Sequence, residues 1–519
     1  MMTSIIQRRA LTGIVILGAA LRLFPIWFGL PYAQARPDES VAIEHALGIF
    51  SGDLNPHFFN WPSVTLYAFA ALYKIASILH VPLGPYALTL IPRGFVALAG
   101  TATILVLARL ARDVAGRATA LVAALFLSVA ILHVRDSHFA TVDVLTTLLA
   151  TASLALLIAA LRNDSIKLFT LAGLACGLAT STKYSVALLM VAMAAAQIVR
   201  LYDGKNRFLS LRAWAPPLLF AAAFVAGFVA GTPYALIESA TFKAHFLNDS
   251  GQLAHGHNII LGRGWTYHFT HTLPYGLGLP IFGAALAGWI PFTRHYPRPA
   301  FVIGAFAAAF YLGIGSGYTV FFRYLLPLVP IACLSAAVLV THAASWIAAR
   351  TRLSAAVTTA VLAALVAGLP LLNSVWLDVL LAKTDTRVLA AEWLKPRLRA
   401  TDTLYDAGGY FTTLELGKTT FQASRYDPAT KSFDLPAGGT PDWIVIHEAP
   451  LMAYTWYERE IRTVLADKYE LAYTVPALEG RGVSREYDMQ DAFFLPIAGF
   501  KGVQRPGPTE WIFRRIDSH

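Results

Sequence analysis

The chain alternates long apolar stretches with short clusters of Lys and Arg, and no other feature constrains its folding as much. Stretches near 10–30, 92–111, 118–135, 141–161, 166–182, 184–200, 213–232, 272–292, 299–315, 323–348 and 353–372 each approach the roughly 17 to 25 residues that a bilayer-crossing helix needs. In lipid the backbone has no water to bond, so such stretches must be helical. A polytopic α-helical membrane protein with about eleven transmembrane helices is therefore expected. Composition agrees, with 56% of residues apolar and only 14% charged.

The formal charge of +10 raises the question of nucleic acid, but many of the basic residues sit between apolar stretches, which is a topology signal. No nucleic-acid partner is expected. Arg8/Arg9, Arg112/Arg117, Arg162/Lys167, Arg200/Lys205/Arg207, Arg294/Arg298 and Arg350/Arg352 all fall on one side if the apolar stretch 62–80 does not cross. That stretch carries Lys74 and is read as an interfacial or re-entrant helix within a long first external loop, 31–91. The loops 136–140, 182–184, 233–271 and 316–322 then share that outer face.

Ala33-Gln34-Ala35 superficially fits a signal-peptide cleavage site, but the preceding apolar run, Ala10 to Leu30, is long enough to span, so it is read as an uncleaved first helix. Cys176 and Cys333 lie inside apolar runs and fit packing rather than a disulfide or metal site. After Asn373 the composition turns soluble. A helix-like stretch at Val388 to Leu394 and a strand-like run at Trp443 to Ile446 suggest a small α/β domain. The expected division is thus a membrane domain, 1–372, and a soluble extracytoplasmic domain, 373–519.

Ionisable residues at the outer face carry the chemistry. Asp38 and Glu39, in Arg36-Pro37-Asp38-Glu39, lie just outside the first span; adjacent loop acids are often only solvated surface, but acids at an anionic interface are disfavoured without a cationic or catalytic need. Asp136 and Asp143 bracket the turn Arg135-Asp136-Ser137-His138-Phe139-Ala140-Thr141-Val142-Asp143. Asp136 reads equally well as a cap, whereas Asp143 enters an apolar helix and must face a cavity or a partner.

Lys183, and Arg323 with Tyr324, break the basic-residue asymmetry by lying outside; snorkelling to headgroups is the plain reading, and a lipid-linked phosphate is what cations beside carboxylates would otherwise serve. The loop 233–271 adds His255, His257 and Trp265, suited to hydrogen bonding and to forming a platform for phosphate or sugar. His255-x-His257 has a spacing open to a divalent metal, but the ligand set is incomplete, and no metal or other cofactor is expected.

In this order the motifs resemble the GT-C superfamily, in the branch of protein O-mannosyltransferases and the lipid A aminoarabinose transferase. The resemblance rests on Pro37-Asp38-Glu39, Gly52-Asp53-Leu54, Phe59-Asn60-Trp61-Pro62-Ser63, His138-Phe139-Ala140-Thr141-Val142-Asp143, Gly177-Leu178-Ala179 with Thr182-Lys183-Tyr184, Trp265-Thr266-Tyr267, Arg323-Tyr324-Leu325-Leu326-Pro327 and Asp385-Thr386-Arg387. It covers essentially the whole membrane part. Some relatives carry Lys-Pro where this chain has Trp61-Pro62, so a phosphate-binding lysine is not carried over to that place. The Trp-Trp-Asp signature of oligosaccharyltransferases is absent, so en bloc transfer to asparagine is not expected.

The resemblance implies a glycosyltransferase in the cell's inner (plasma) membrane that moves a sugar from a polyprenyl-phosphate donor to a lipid, glycan or protein acceptor on the extracytoplasmic face, by inverting single displacement. It implies Asp38 as general base, with Glu39 and Asp143 orienting the sugar, the base or a cation. Lys183, Arg323, Tyr324, His255, His257, Trp265, His138 and Asp136 would bind substrate. Two rivals share the span count: a secondary transporter, which should show ionisable or broken segments at mid-membrane depth and an internal repeat, and a non-catalytic glycan or lipid assembly protein. The acids here cluster at one face.

Overall fold

A computed structural model describes residues 2–203, 210–409, 411–436, 439–480 and 484–516. Lys205 and Arg207, used above for topology, lie outside the described residues. The chain forms two compact units: residues 1–26 with 41–375, and residues 27–40 with 376–519.

The first unit is helical. Its first nine helices are α1 (Met2–Leu23), α2 (Pro37–Phe50, whose first turn belongs to the second unit), α3 (Val64–Ile78), α4 (Pro85–Val129), α5 (Ile131–Asp136), α6 (Asp143–Asn163), α7 (Ile166–Thr180), α8 (Leu189–Tyr202) and α9 (Leu211–Gly231). The helices Leu279–His295, Pro297–Gly315, Val329–Ala348 and Ala355–Leu381 follow. Among the described residues, seven helices are long and apolar enough to cross a membrane, or eight if the pair Gly264–Leu277 and Leu279–His295, bent by 115°, is one span.

Three details refine the expected spans. The stretch 92–111 and residues 118–129 of the next run as one 45-residue element, α4, interrupted at Gly116, whose φ of 89° and ψ of −174° a residue with a Cβ would adopt only under strain; residues 131–135 belong to α5. Helix α3 has 15 residues, about 22 Å of rise, and falls short of a hydrocarbon core of about 30 Å. Helix α7 is also only 15 residues long, because the chain turns out of it at Ser181 and enters a 3-10 turn, Tyr184–Leu188, before α8.

Packing between helices relies on small residues where the termini must be fixed. Gly173 and Gly177 on α7 are one turn apart, and a methyl group on either would collide with the carbonyl oxygens of Phe220 and Phe224 on α9; Gly227 of α9 similarly faces the Leu174 carbonyl. This is close backbone contact of the small-x-x-x-small kind, which in lipid must supply by dispersion what the hydrophobic effect cannot. Arg22 is fully buried, and the two terminal nitrogens of its guanidinium are engaged: they donate to the carbonyls of Gly18 (2.9 Å), Leu127 (2.9 Å) and Ser128 (3.1 Å), and one lies 3.1 Å from His133 Nδ1. Leu127 and Ser128 close α4, so this cation also faces the negative end of a helix.

The second unit is built on strands β1 (Thr403–Asp406), β2 (Gln422–Ala423), β3 (Tyr426–Asp427), β4 (Ser432–Phe433), β5 (Trp443–Glu448), β6 (Tyr469–Val475) and β7 (Thr509–Arg515). Five form a sheet in the order β2-β1-β5-β7-β6, parallel across β2, β1 and β5 and antiparallel from β5 onward; β3 and β4 form a separate hairpin. The expected helix at 388–394 lies within Thr386–Leu394 and the expected strand within β5.

Asp385 begins that helix by accepting from the Arg387 backbone NH (2.9 Å), while its carboxylate takes the Arg387 side chain in two hydrogen bonds of 2.8 and 2.7 Å. The Arg387 guanidinium stacks over the Tyr32 ring at 4.2 Å, and the Tyr32 hydroxyl donates to the Thr413 carbonyl (3.1 Å). The Asp385-Thr386-Arg387 motif thus clamps residues 27–40 onto this unit.

Within the sheet, His447 of β5 lies between Asp406 (Nε2 to Oδ1, 2.7 Å) and Glu510 (Nδ1 to Oε2, 2.6 Å), with both the imidazole and Glu510 buried. Burial alone would pull His447 down, but the two carboxylates hold it up to about 10, so the imidazolium is the resident form at neutral pH.

Candidate active site

The motifs scattered along the membrane unit meet because the loops at one end of its helices bond to one another. The Tyr184 hydroxyl donates to the Phe59 carbonyl (2.7 Å), the Val64 NH to the Ser181 carbonyl (3.0 Å) and the Ser63 NH to the Thr232 hydroxyl (3.2 Å). The Phe59 NH donates to His245 Nδ1 (3.2 Å), and the Ser181 and Thr232 hydroxyls are hydrogen-bonded to each other. Residues 59–64, 181–184 and 232–245 therefore form one interlocked cluster, anchored below by the glycine contact of α7 with α9.

Lys183 projects from this cluster. Its ammonium donates to the Asp143 carboxylate at 2.6 Å, and Asp143, 3% exposed, stands in the first turn of α6, where the helix dipole favours a negative group. The ammonium also lies 4.3 Å from the centre of the Tyr324 ring, and the Arg323 guanidinium is 5.9 Å from the same ring. Two cations thus lie within reach of one aromatic ring, as cation–π attraction allows. The Lys183 side chain is 20% exposed, so its remaining hydrogens can reach a ligand. Four residues singled out in sequence, Asp143, Lys183, Arg323 and Tyr324, form one connected group.

His257 is joined to that group through Phe321, whose ring is 5.0 Å from the imidazole and 3.8 Å from the Arg323 guanidinium. His255 is exposed and has Nδ1 2.7 Å from the Gly251 carbonyl, at the end of the helix Ser239–His255. Trp265 is engaged by its indole NH, which donates to the Leu312 carbonyl (2.9 Å), and the Arg263 guanidinium lies 5.5 Å over its ring.

His138 and Asp136 are fully enclosed. The His138 ring nitrogens sit 3.0 Å from the Val134 carbonyl oxygen and 2.9 Å from that of Phe24, and Arg135 Nε donates to Asp136 at 2.9 Å. Both hold the turn that delivers Asp143. Among the described residues, no group of three or more His, Cys, Asp or Glu is arranged to hold a metal ion.

Asp38 and Glu39 belong to the other unit, where they occupy the first turn of α2 behind Pro37 rather than a loop. Arg36, buried, bonds Asp38 Oδ2 at 3.3 Å and pairs tightly with Asp491. Glu39 is 1% exposed and the Asp38 side chain 26%, so of the two acids Asp38 is the one open to a ligand.

Sequence reasoning missed Asp249 and Asp491. Asp249 lies on the Ser239–His255 helix; burial pushes its carboxyl up, against the pull of Lys183. Its only sequence signal was an acid in a loop already rich in His.

Helices tied at one end into a cation-bearing loop cluster, and a small α/β unit, are a fold found also in solved structures of ArnT and of an oligosaccharyltransferase. Residues 92–230 match the family described as dolichyl-phosphate-mannose-protein mannosyltransferase. ArnT from Cupriavidus metallidurans in its apo state matches with a TM-score of 0.52 at 18% identity, over 96% of this chain and 98% of that one. The same protein bound to undecaprenyl phosphate matches with a TM-score of 0.50 at 17% identity, over the same 96% and 98%. The Archaeoglobus fulgidus oligosaccharyltransferase tethered to an acceptor peptide matches with a TM-score of 0.51 at 12% identity, over 80% of this chain; this chain covers 63% of it, less than two thirds. No curated protein sequence matches.

Proposed function

We propose that the protein is a glycosyltransferase that moves a sugar from a polyprenyl-phosphate carrier to a lipid, glycan or protein acceptor on the extracytoplasmic face of the inner membrane. The observation that carries this reading is the gathering of Lys183 and Arg323 at the Tyr324 ring, beside Asp143, where helix ends meet. The undecaprenyl phosphate held by the ArnT structure supports a carrier of that chemistry. In the proposed topology the eleven apolar stretches cross, α3 lies at the interface, and the loop cluster and the second unit face outward.

The reaction is an inverting displacement: the acceptor's nucleophilic atom bonds to the anomeric carbon, the bond from that carbon to the phosphate oxygen breaks, and the acceptor's proton passes to a base. Phosphate leaves as an anion and needs cations rather than a proton donor, a task for Lys183 and Arg323 with His257 adjoining. Asp143 orients the Lys183 ammonium. Asp38 is proposed as the base, worth about 10² to 10⁴ in rate for a well-placed carboxylate, with Glu39 orienting beside it. The charge comes from side chains, and the reading requires no cofactor.

The test is transfer from a panel of radiolabelled polyprenyl-phosphate sugars by the purified protein in lipid nanodiscs, wild type against Asp38→Asn. Transfer with one carrier, lost in the variant, is expected and identifies the sugar. Absence of donor binding or turnover with every carrier overturns the reading.

A further inference from the structure

A second basic site lies at the other end of the membrane unit. Helix α6 runs from Asp143 to Asn163, a rise of roughly 30 Å, and Arg162 in its last turn donates to the Asp113 carbonyl (2.6 Å). Asp113 precedes the Gly116 break in α4. Around that break a cavity of 310 Å³ is lined by Arg8 of α1 and by Arg109, Arg112 and Arg117 of α4. Gln7 adds a polar group, and Leu11, Leu105, Ala108, Ala120 and Leu121 form an apolar wall.

The positive-inside asymmetry explains why arginines are here, but not why four line one cavity. Arg109 has an acid partner, Asp113, at 2.7 Å. Among the described residues, no carboxylate pairs with Arg8, Arg112 or Arg117. Gathering like charges costs energy unless an anion neutralises them. The backbone break is what allows it: a straight helix would set Arg112 and Arg117 on different faces, being five residues apart.

The apolar wall indicates the kind of anion. Leu105 is 48% exposed and Leu98, two turns further along the same face of α4, is 59% exposed. An apolar track thus leads from the arginines along the helix surface, which suits an acyl chain and serves no purpose for a free ion. We propose that this cavity binds the phosphate of an anionic membrane phospholipid, with a chain lying along Leu105 and Leu98. It is separate from the donor-phosphate site at Lys183, which lies about a bilayer's thickness away, and it does not depend on the transfer reaction.

The test is native mass spectrometry of the purified full-length protein, counting phosphatidylglycerol retained against phosphatidylcholine of the same chains. Preferential retention of phosphatidylglycerol is expected. It should fall about tenfold or more in the double variant Arg112→Ala/Arg117→Ala, persist in Arg112→Lys/Arg117→Lys, and be unchanged in Arg350→Ala, an arginine outside the cavity. The lysine pair separates loss of the site from loss of fold. Equal retention of the two lipids, or no effect of the alanine pair, overturns the proposal. So does displacement of phosphatidylglycerol by millimolar inorganic phosphate, which would mark a site for a free anion.

Discussion

The Lys183 ammonium donates a 2.6 Å hydrogen bond to Asp143, and these two residues sit at the start of different helices, α6 and the Tyr184–Leu188 turn that leads into α8. The pair fixes the ammonium against the Tyr324 ring without using all of its hydrogens. Replacing Lys183 with Met should lower kcat/KM for the carrier-linked donor by about 10² to 10³, the scale of a lost charge-stabilising donor. Asp143→Asn should cost less, and mainly in kcat, because the cation stays but is no longer aimed. Steady-state kinetics on both variants checks the order.

Asp249 gives the site a pH dependence. Burial raises its carboxyl, so it ionises above the ordinary carboxylate range, and once ionised it competes for Lys183 with a donor phosphodiester whose own charge is constant there. The KM for donor should therefore rise as pH climbs through a window displaced above the ordinary carboxylate range. In Asp249→Asn that limb should flatten. An unchanged pH profile in the variant would separate Asp249 from donor binding.

Much of the membrane architecture was legible because a span needs only length and apolarity, and each expected stretch coincides at least in part with a helix. The helix start at Pro37 was also written in the chain: Pro followed by two acids marks a first turn, a signal outweighed by the reading of the segment as a loop. Legibility stopped where a residue's role depends on distant partners. Arg36 meets Asp491 across 455 positions, and that contact is part of what makes residues 27–40 belong with the C-terminal unit. Asp406, His447 and Glu510 follow no local spacing at all; three strands of mixed direction bring them together.

The Arg36–Asp491 pair should matter more when half broken than when wholly removed. Asp491→Ala leaves a buried guanidinium short of one carboxylate and is expected to destabilise the C-terminal unit by about 3 to 5 kcal/mol. Arg36→Met/Asp491→Leu should recover much of that loss. Thermal unfolding in detergent, followed by near-UV circular dichroism, compares the two.

His447 predicts a falling stability in alkali. Its folded pKa of about 10 lies above the roughly 6.5 of an unfolded histidine, so its contribution is full below about pH 6.5 and is lost as pH rises toward 10. Glu510, also raised by burial, works in the same direction, since its ionised form is the costly one in the fold. His447→Gln should destabilise the unit at pH 6 and remove most of the slope between pH 6.5 and 10. A wild-type unfolding temperature that stays level over that range would contradict the assignment of the imidazolium.

Gly173, Gly177 and Gly227 put backbone against backbone where α7 meets α9, so the spacing of those helices is set by carbonyl oxygens, with no side chain available to re-pack and absorb a change. The cluster that carries Lys183 hangs directly from the ends of this pair. A survey that weighed only reactive groups would rank these three positions last. They nonetheless act as the gauge block of the proposed donor site: an added methyl group between the two helices, without charge or chemistry, would be felt at the ammonium as a misalignment.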